Sequence, residues 1–124
     1  MKLPNVQAAV VSKEKIVGYL LNQQHPDGRG KAIFFGNLGF DIEKWSALAD
    51  ALRKIAVEND VALEVESPHG RKYIIDGTLE SPSSQMPRVR TVWIIDHGES
   101  NPRLVTAYPG NDGDIMLPRA IRDA

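Results

Sequence analysis

Residues 88–96 read RVRTVWIID, and this stretch decides the fold class. It is rich in the β-branched and aromatic side chains that favour strands. On its C-terminal side, residues 97–102 have turn composition, and residues 103–108 (RLVTAY) are predicted to return as a second strand. Pro109 and Gly110 end that strand. The end of the chain therefore predicts an antiparallel hairpin.

Two more strands are predicted before this hairpin. Residues 61–66 (VALEVE) alternate with a period of two, as in a half-buried strand. Pro68-His69-Gly70 marks a turn, and residues 72–80 are predicted as the returning strand. Residues 81–87 (SPSSQMP) are a loop by composition. Four strands with short connections predict an antiparallel meander.

The first part of the chain has helical spacing instead. Residues 7–11 are a short apolar run that we expect to form an entering strand. Ser12 is then the predicted N-cap of a helix in which apolar residues lie four apart. Residues 22–30 (NQQHPDGRG) are predicted as a loop, and residues 31–38 as a second helix that stops at Gly39.

The third predicted helix is the clearest. Asp41 is its predicted N-cap. The apolar residues that follow recur at helical spacing and predict one buried stripe: Trp45, Leu48, Ala49, Leu52, Ile55 and Ala56. Helices followed by strands predict an α+β fold, with N-terminal helices packed on a four-stranded antiparallel β-meander. We expect residues 1–109 to form one domain and residues 110–124 a C-terminal tail.

The composition excludes several kinds of site. The chain has 124 residues and no cysteine, which rules out disulfides, thiolate metal sites and a cysteine nucleophile. Its three histidines have no metal-ligand spacing, so we expect no metal and no cofactor. No apolar run approaches the roughly 20 residues of a membrane helix, and we see no signal peptide. A cytoplasmic protein without a membrane partner is expected.

The charges balance overall but not locally. Fifteen Lys and Arg residues against 16 Asp and Glu residues leave a net charge of -1, which gives no argument for nucleic acid. Residues 41–66, however, carry seven acidic and three basic side chains, whereas residues 1–40 carry two acidic and five basic side chains. A solvated acidic helix is the simplest interpretation of this segment.

Two groups of residues can carry chemistry. The loop His25-Pro26-Asp27-Gly28-Arg29-Gly30-Lys31 places an imidazole, a guanidinium and an ammonium before a helix, where anions are favoured. An ordinary solvated turn is the alternative.

The last two strands form the second group. Strict alternation puts Leu104, Thr106 and Tyr108 on one face, with the Thr106 and Tyr108 hydroxyls about 7 Å apart along the strand. With Arg88 or Arg90 on the neighbouring strand they can line a polar patch. Cross-strand packing alone is the alternative.

Two blocks of sequence carry a resemblance to known proteins. The first combines YLLN at 19–22, HP at 25–26, GR at 28–29, KA at 31–32 and LGF at 38–40; the second combines VRTVWII at 89–95 with PRLVTAYP at 102–109. Together they resemble a family of small bacterial domains of unknown function, over residues 3–109 or so. More distantly, the layout is similar to the barnase–EndoU–colicin–RelE class of metal-independent ribonucleases.

The resemblance implies a toxin-like endoribonuclease that needs no metal or cofactor. Its partners would be RNA and a small antitoxin- or immunity-like protein. Position by position, it implies the catalytic residues His25, Lys31, Arg90, Thr106 and Tyr108, and the substrate-binding residue Arg29. Arg88, from the polar patch on the strands, is the second residue expected to bind substrate. A histidine near neutral pH can act as base or acid, and cations stabilise the phosphorane-like transition state.

Two other hypotheses stay open at this point. The same scaffold can serve as a non-catalytic protein-binding module, which a near-neutral surface suits. An enzyme acting on another small phosphate or nucleotide is the third. The catalytic hypothesis gains support if His25 or Lys31 lies in one cleft with Arg90, Thr106 and Tyr108. It fails if His25 lies on the opposite side of the sheet from Thr106 and Tyr108.

Overall fold

Three helices precede four strands in the part of the chain that the structure, a computed structural model, describes, namely residues 1–110. The predicted α+β fold is thereby confirmed. No helix within these residues is long and apolar enough to cross a membrane. Of the predicted tail 110–124, all but Gly110 lies outside the described residues. The helices are α1 (Lys13–Lys15), α2 (Arg29–Asn37) and α3 (Trp45–Glu58), and the strands are β1 (Leu63–Ser67), β2 (Gly70–Thr78), β3 (Arg88–Asp96) and β4 (Arg103–Pro109).

The strands form one antiparallel sheet in the order β1-β2-β3-β4, which confirms the predicted meander. The predicted bounds of β3 agree with the structure. β2 differs, because it begins at Gly70 rather than at residue 72. Gly70 pairs with Ser67 on one side and with Asp96 on the other, so the turn before it is shorter than expected.

A β-bulge interrupts the pairing of β3 with β4. Val92 pairs with Thr106, but the next residue, Trp93, pairs with Leu104. Val105 is therefore the extra residue of β4. An extra residue shifts the side-chain alternation by one position.

The bulge makes the strict alternation predicted for β4 wrong. Leu104 and Ala107 are both buried in the main core, on the face of the sheet that α3 covers. Val105 and Tyr108 instead pack together on the opposite face, which we call the outer face, against Ile74 and Val92. Leu104 and Tyr108 thus lie on different faces, contrary to the expectation from a period of two.

Helix α3 buries the predicted apolar stripe against the sheet. Asp41 caps this region, since its carboxylate accepts a hydrogen bond from the backbone N–H of Lys44 at 2.9 Å. The first turn after it, Ile42–Lys44, is 3-10 helical, so α3 itself begins only at Trp45. The stripe faces apolar side chains of the sheet, including Tyr73, Ile75, Val89 and Trp93.

The entering strand predicted over residues 7–11 is wrong. Val6–Ala8 is a 3-10 turn, and only Val10 pairs, in a single parallel bridge with Arg103 of β4. The reason is that the chain turns just before Val10 and enters the helix capped by Ser12 just after it. Little extended chain is left to lie beside β4.

The first helix is wider than an α-helix. Ser12 caps it as predicted, accepting a hydrogen bond from the Lys15 N–H at 3.1 Å. After Lys15 it continues as a π-helical segment, Ile16–Leu20, in which the N–H of Leu21 reaches the carbonyl of Ile16 at 2.8 Å. Such segments often occur at functional sites.

A buried hydrogen-bond chain links β2 and β3, and we expect it to be important for stability. Trp93 Nε1–H donates to Thr91 Oγ1 at 2.8 Å, and the Thr91 hydroxyl donates to the Ile75 carbonyl at 2.8 Å. Thr91→Val removes the acceptor of the buried Trp93 N–H and one donor to the Ile75 carbonyl, so the free energy of unfolding falls by about 1–3 kcal/mol. Chemical denaturation measures the change.

The control is Thr78→Val, because Thr78 is exposed at the end of β2. This substitution changes the free energy of unfolding by no more than about 0.5 kcal/mol. Equal effects of the two substitutions would contradict the role assigned to Thr91.

Candidate functional site

A pocket of about 300 Å³ lies between the helical half of the chain and β4. We call it the Tyr19 pocket, after the residue at its centre. The side chains come from the first helix, from the loop that follows it and from the bulged strand. The lining residues are Lys15, Tyr19, His25, Asp27, Val105 and Thr106.

Tyr19 connects the two halves of the pocket. It belongs to the π-helical segment, and its hydroxyl lies 3.2 Å from the Thr106 hydroxyl on β4. Thr106 is almost fully buried, so its hydroxyl is held in place by the surrounding core. The two residues are 87 positions apart in the chain, and only folding brings them together.

Two ammonium groups lie beside the Tyr19 ring. Lys15 Nζ and Lys31 Nζ are each 5.2 Å from the ring centroid, within the range of a cation–π interaction. Lys31 Nζ also donates to the backbone carbonyl of Asp27 at 3.4 Å. The pocket therefore has a positive edge built on one aromatic ring.

Burial changes the proton affinity of Lys15. Its half-buried position lowers the pKa below the ordinary lysine value, because an ammonium loses hydration there. The Tyr19 side chain opposes this shift, and the nearby Arg103 guanidinium adds to it. Lys15 thus loses its proton more readily than an exposed lysine.

His25 is held in one orientation by its own loop. Its Nδ1 atom accepts hydrogen bonds from the backbone N–H groups of Asp27, at 3.0 Å, and Gly28, at 3.1 Å. The neutral ring therefore carries its proton on Nε2. The ring packs edge-on against Tyr19, with 4.9 Å between centroids. His25 thus offers an N–H donor.

Gly28 allows this loop to approach Tyr19. A Cβ atom at position 28 would lie 2.6 Å from the Tyr19 carbonyl oxygen and 2.8 Å from a carbon of its ring. Any other residue would push the loop, and His25 with it, away from Tyr19. The glycine of the predicted Asp27-Gly28 turn therefore lets the loop hold His25 against Tyr19.

The structure brings together three of the residues predicted to be catalytic. His25 and Thr106 line the Tyr19 pocket, and Lys31 adds its ammonium beside the ring of Tyr19. Thr106 and Tyr108 lie on the same face of β4, as predicted, because the bulge precedes both of them and they pair with Val92 and Arg90 of β3. Of these two side chains, only Thr106 lines the Tyr19 pocket.

Arg90 lies on the outer face with Tyr108. Its guanidinium makes two hydrogen bonds to the Asp76 carboxylate, at 2.7 and 2.9 Å. The pairing with Asp76 raises the pKa of Arg90, and the Tyr108 hydroxyl contributes to this shift. Neither Arg90 nor Tyr108 lines the Tyr19 pocket.

The two residues predicted to bind substrate are exposed. Arg29 is the first residue of α2, and Arg88 is the first residue of β3. Neither side chain lines the Tyr19 pocket. Both remain predicted contacts for a ligand that extends beyond it.

Sequence reasoning missed Lys15 and Tyr19 as site residues. Their separation of four positions places both on one side of a helix, which is a visible but weak signal. Tyr19 also belongs to the YLLN block, but the resemblance implies no role for it. Nothing local to either residue indicates that Thr106 completes the arrangement.

No metal centre is evident within residues 1–110. No three His, Cys, Asp or Glu side chains among them are grouped so as to hold a metal ion. The donors of the Tyr19 pocket are mainly nitrogen cations and hydroxyls, which suit an anion better than a cation. That the protein works without metal or cofactor stays a prediction.

Comparisons with known proteins give a family and a fold. The family model described as "Domain of unknown function (DUF6883)" matches residues 2–111. A search among curated proteins finds no match. Among solved structures, the chain is similar to one in a contact-dependent growth inhibition toxin–immunity protein complex from Klebsiella pneumoniae 342. The TM-score is 0.65 at 18% identity, over 86% of this chain and 97% of the other. At this identity the likeness shows the fold alone.

Proposed function

The chain belongs to the family described as a domain of unknown function (DUF6883), and we propose that it is a toxin-like ribonuclease that cleaves RNA at the Tyr19 pocket without a metal ion. One observation carries the proposal: Lys15, Lys31 and His25 gather around Tyr19, whose hydroxyl meets Thr106. The fold shared with a chain of a toxin–immunity complex supports a toxin-like or immunity-like role. The chemistry of the pocket favours the toxin.

The proposed reaction is a transesterification within RNA. The 2′-oxygen attacks the adjacent phosphorus, a new O2′–P bond forms, and the P–O5′ bond breaks. The products are a 2′,3′-cyclic phosphate and a 5′-hydroxyl. The step needs a group that takes the 2′ proton, a group that protonates O5′, and donors for the charge on the phosphate oxygens.

The pocket offers a group for each requirement. Lys15, whose pKa burial lowers, takes the 2′ proton in its neutral form. Lys31 and the Nε2–H of His25 stabilise the charge on the phosphate oxygens. The Tyr19 hydroxyl, beside that of Thr106, supplies the proton to O5′.

This assignment changes the role expected for His25. Its Nδ1 already accepts two backbone hydrogen bonds, so in the proposal the ring acts as a donor through Nε2 rather than as a base. Arg90 and Tyr108, at the Asp76 ion pair, take no part in the proposed step. Arg29 and Arg88 contact the RNA backbone outside the pocket.

The test is cleavage of a labelled RNA by the purified chain in the presence of EDTA. We expect products ending in 2′,3′-cyclic phosphate and 5′-hydroxyl, identified by mass spectrometry. A substrate with 2′-hydrogen at the cleaved position stays intact. His25→Ala lowers the rate by about 10²-fold or more, whereas His97→Ala, in the exposed turn between β3 and β4, is the matched control.

The outcomes separate the hypotheses. The proposal would be contradicted if tRNA, rRNA and mRNA all stay intact after incubation with the folded wild-type protein. A stable complex with a small protein in that case would favour the non-catalytic binding module, which the net charge of -1 suits. Turnover of a free nucleotide instead of RNA would favour the third hypothesis.

A further inference from the structure

A second pocket, of about 380 Å³, lies between α2 and the segment 40–43 that follows it. We call it the acidic groove. It shares no lining residue with the Tyr19 pocket. Its lining residues are Leu21, Gln23, Ala32, Gly36, Phe40, Asp41, Ile42 and Glu43.

The groove combines an apolar floor with carboxylates. Leu21, Ala32 and Phe40 are buried and form the floor. Asp41 and Glu43 are exposed beside it. Asp41 uses one oxygen to cap the Lys44 N–H, which leaves its second oxygen for another donor. These carboxylates open the segment 41–66, in which acidic side chains outnumber basic ones by seven to three.

We propose that the acidic groove binds a basic segment of a partner protein through an anchoring arginine side chain. An arginine has an aliphatic stem that packs on apolar surface and a guanidinium that pairs with carboxylates. The groove matches this side chain: its floor is apolar, and the carboxylates of Asp41 and Glu43 lie beside the floor. The negative charges of these two carboxylates favour the positively charged guanidinium over a neutral side chain.

Apolar surface beside the groove favours a protein segment over a small free cation. Ile42 is 49% exposed at the groove, and Ile33 is 42% exposed on α2. Ile33 lies three residues before Gly36, so the two are neighbours on the helix surface. A polypeptide that inserts an arginine also covers these two side chains, which a free cation leaves in water.

Gly36 provides a way to close the groove without disturbing the fold. It lies within α2, and a Cβ atom at this position meets nothing within 4 Å. Gly36→Leu therefore places a side chain in open space at the groove. Gly30→Leu is the matched control, because Gly30 is also in α2, is also open, and does not line the groove.

The experiment uses the ¹⁵N-labelled full chain and the peptide acetyl-Leu-Arg-Leu-amide as the probe. We expect amide shifts centred on Gly36, Ile42 and Glu43. The same peptide with citrulline, which is isosteric with arginine but neutral, binds about tenfold more weakly or worse, because a charge-assisted contact is lost. Gly36→Leu and Glu43→Gln weaken binding of the arginine peptide by about fivefold or more, and Gly30→Leu does not.

Three results would overturn the proposal. Equal binding of the citrulline peptide would make the groove an apolar site without charge selection. Undiminished binding to Gly36→Leu would place the peptide elsewhere. A concentration-dependent dimer in sedimentation analysis that Gly36→Leu abolishes would make a second copy of the chain the occupant. Circular dichroism of each variant establishes that it is folded.

Discussion

Lys15→Met lowers kcat/KM for RNA cleavage by about 10²- to 10³-fold, the usual cost of removing one group that acts in the transition state. The methionine keeps most of the apolar stem beside Tyr19 but removes the ammonium nitrogen 5.2 Å from its ring. Lys13→Met is the matched control. Lys13 lies in the same short helix, is exposed, and does not line the Tyr19 pocket.

The pH profile tests whether Lys15 acts as the base. Because burial lowers the pKa of Lys15, its neutral form appears at a lower pH than that of an ordinary lysine. The wild-type rate should therefore rise with pH as this ammonium loses its proton. The residual activity of Lys15→Met should lack that rise.

Lys15→Arg separates the base from a simple phosphate contact. Arginine keeps the positive charge but does not become neutral at accessible pH. If Lys15 takes a proton, Lys15→Arg is as inactive as Lys15→Met. If it only binds phosphate, the arginine retains most of the activity, and the base must be another group.

Gly70→Ala lowers the free energy of unfolding by about 3 kcal/mol or more, the largest effect on stability that we expect from so small a change. Gly70 has a φ of +154°, and an added Cβ would collide with the Ile95 carbonyl oxygen and lie 2.8 Å from the Asp96 Cα. Both obstacles are backbone of β3, which cannot move without breaking the sheet. Thermal unfolding should show a Tm lower by about 10 °C or more.

Gly36→Ala provides the opposite result from the same chemical change. Its Cβ enters open space in α2, and alanine restricts the unfolded chain more than glycine does. We expect a gain of about 0.5–1 kcal/mol in the free energy of unfolding. Were Gly70→Ala to change stability no more than Gly36→Ala, the close approach of β2 to β3 would be disproved.

The elements that were predicted well are those with a strong local pattern. β3 was predicted with its observed bounds because its apolar, β-branched residues are flanked by turn residues on both sides. The stripe of α3 was predicted because five buried residues recur at helical spacing: Leu48, Ala49, Leu52, Ile55 and Ala56. Local patterns of this kind depend on the element alone.

The wrong predictions concern residues whose conformation is set by contacts with distant parts of the chain. The bulge at Val105 has no signal within β4, since it is defined only by how β4 pairs with β3. The short run around Val10 has strand composition, yet the turns on either side leave it a single bridge. The bulge puts Leu104 and Tyr108 on different faces of the sheet, which strict alternation would have placed on one.

The sequence alone was enough for the α+β class, the order of the strands, the absence of cysteine chemistry and the loop that carries His25 just before the helix of Lys31. Period and composition are properties of neighbouring residues, so they can be read without a fold. The site itself depends on tertiary packing. Thr106 contacts Tyr19, which is 87 positions away in the chain, and Arg90 forms an ion pair with Asp76 on the neighbouring strand. Those contacts depend on how the first helix packs against β4 and on the pairing of β2 with β3, which are long-range properties that no local pattern of side chains specifies.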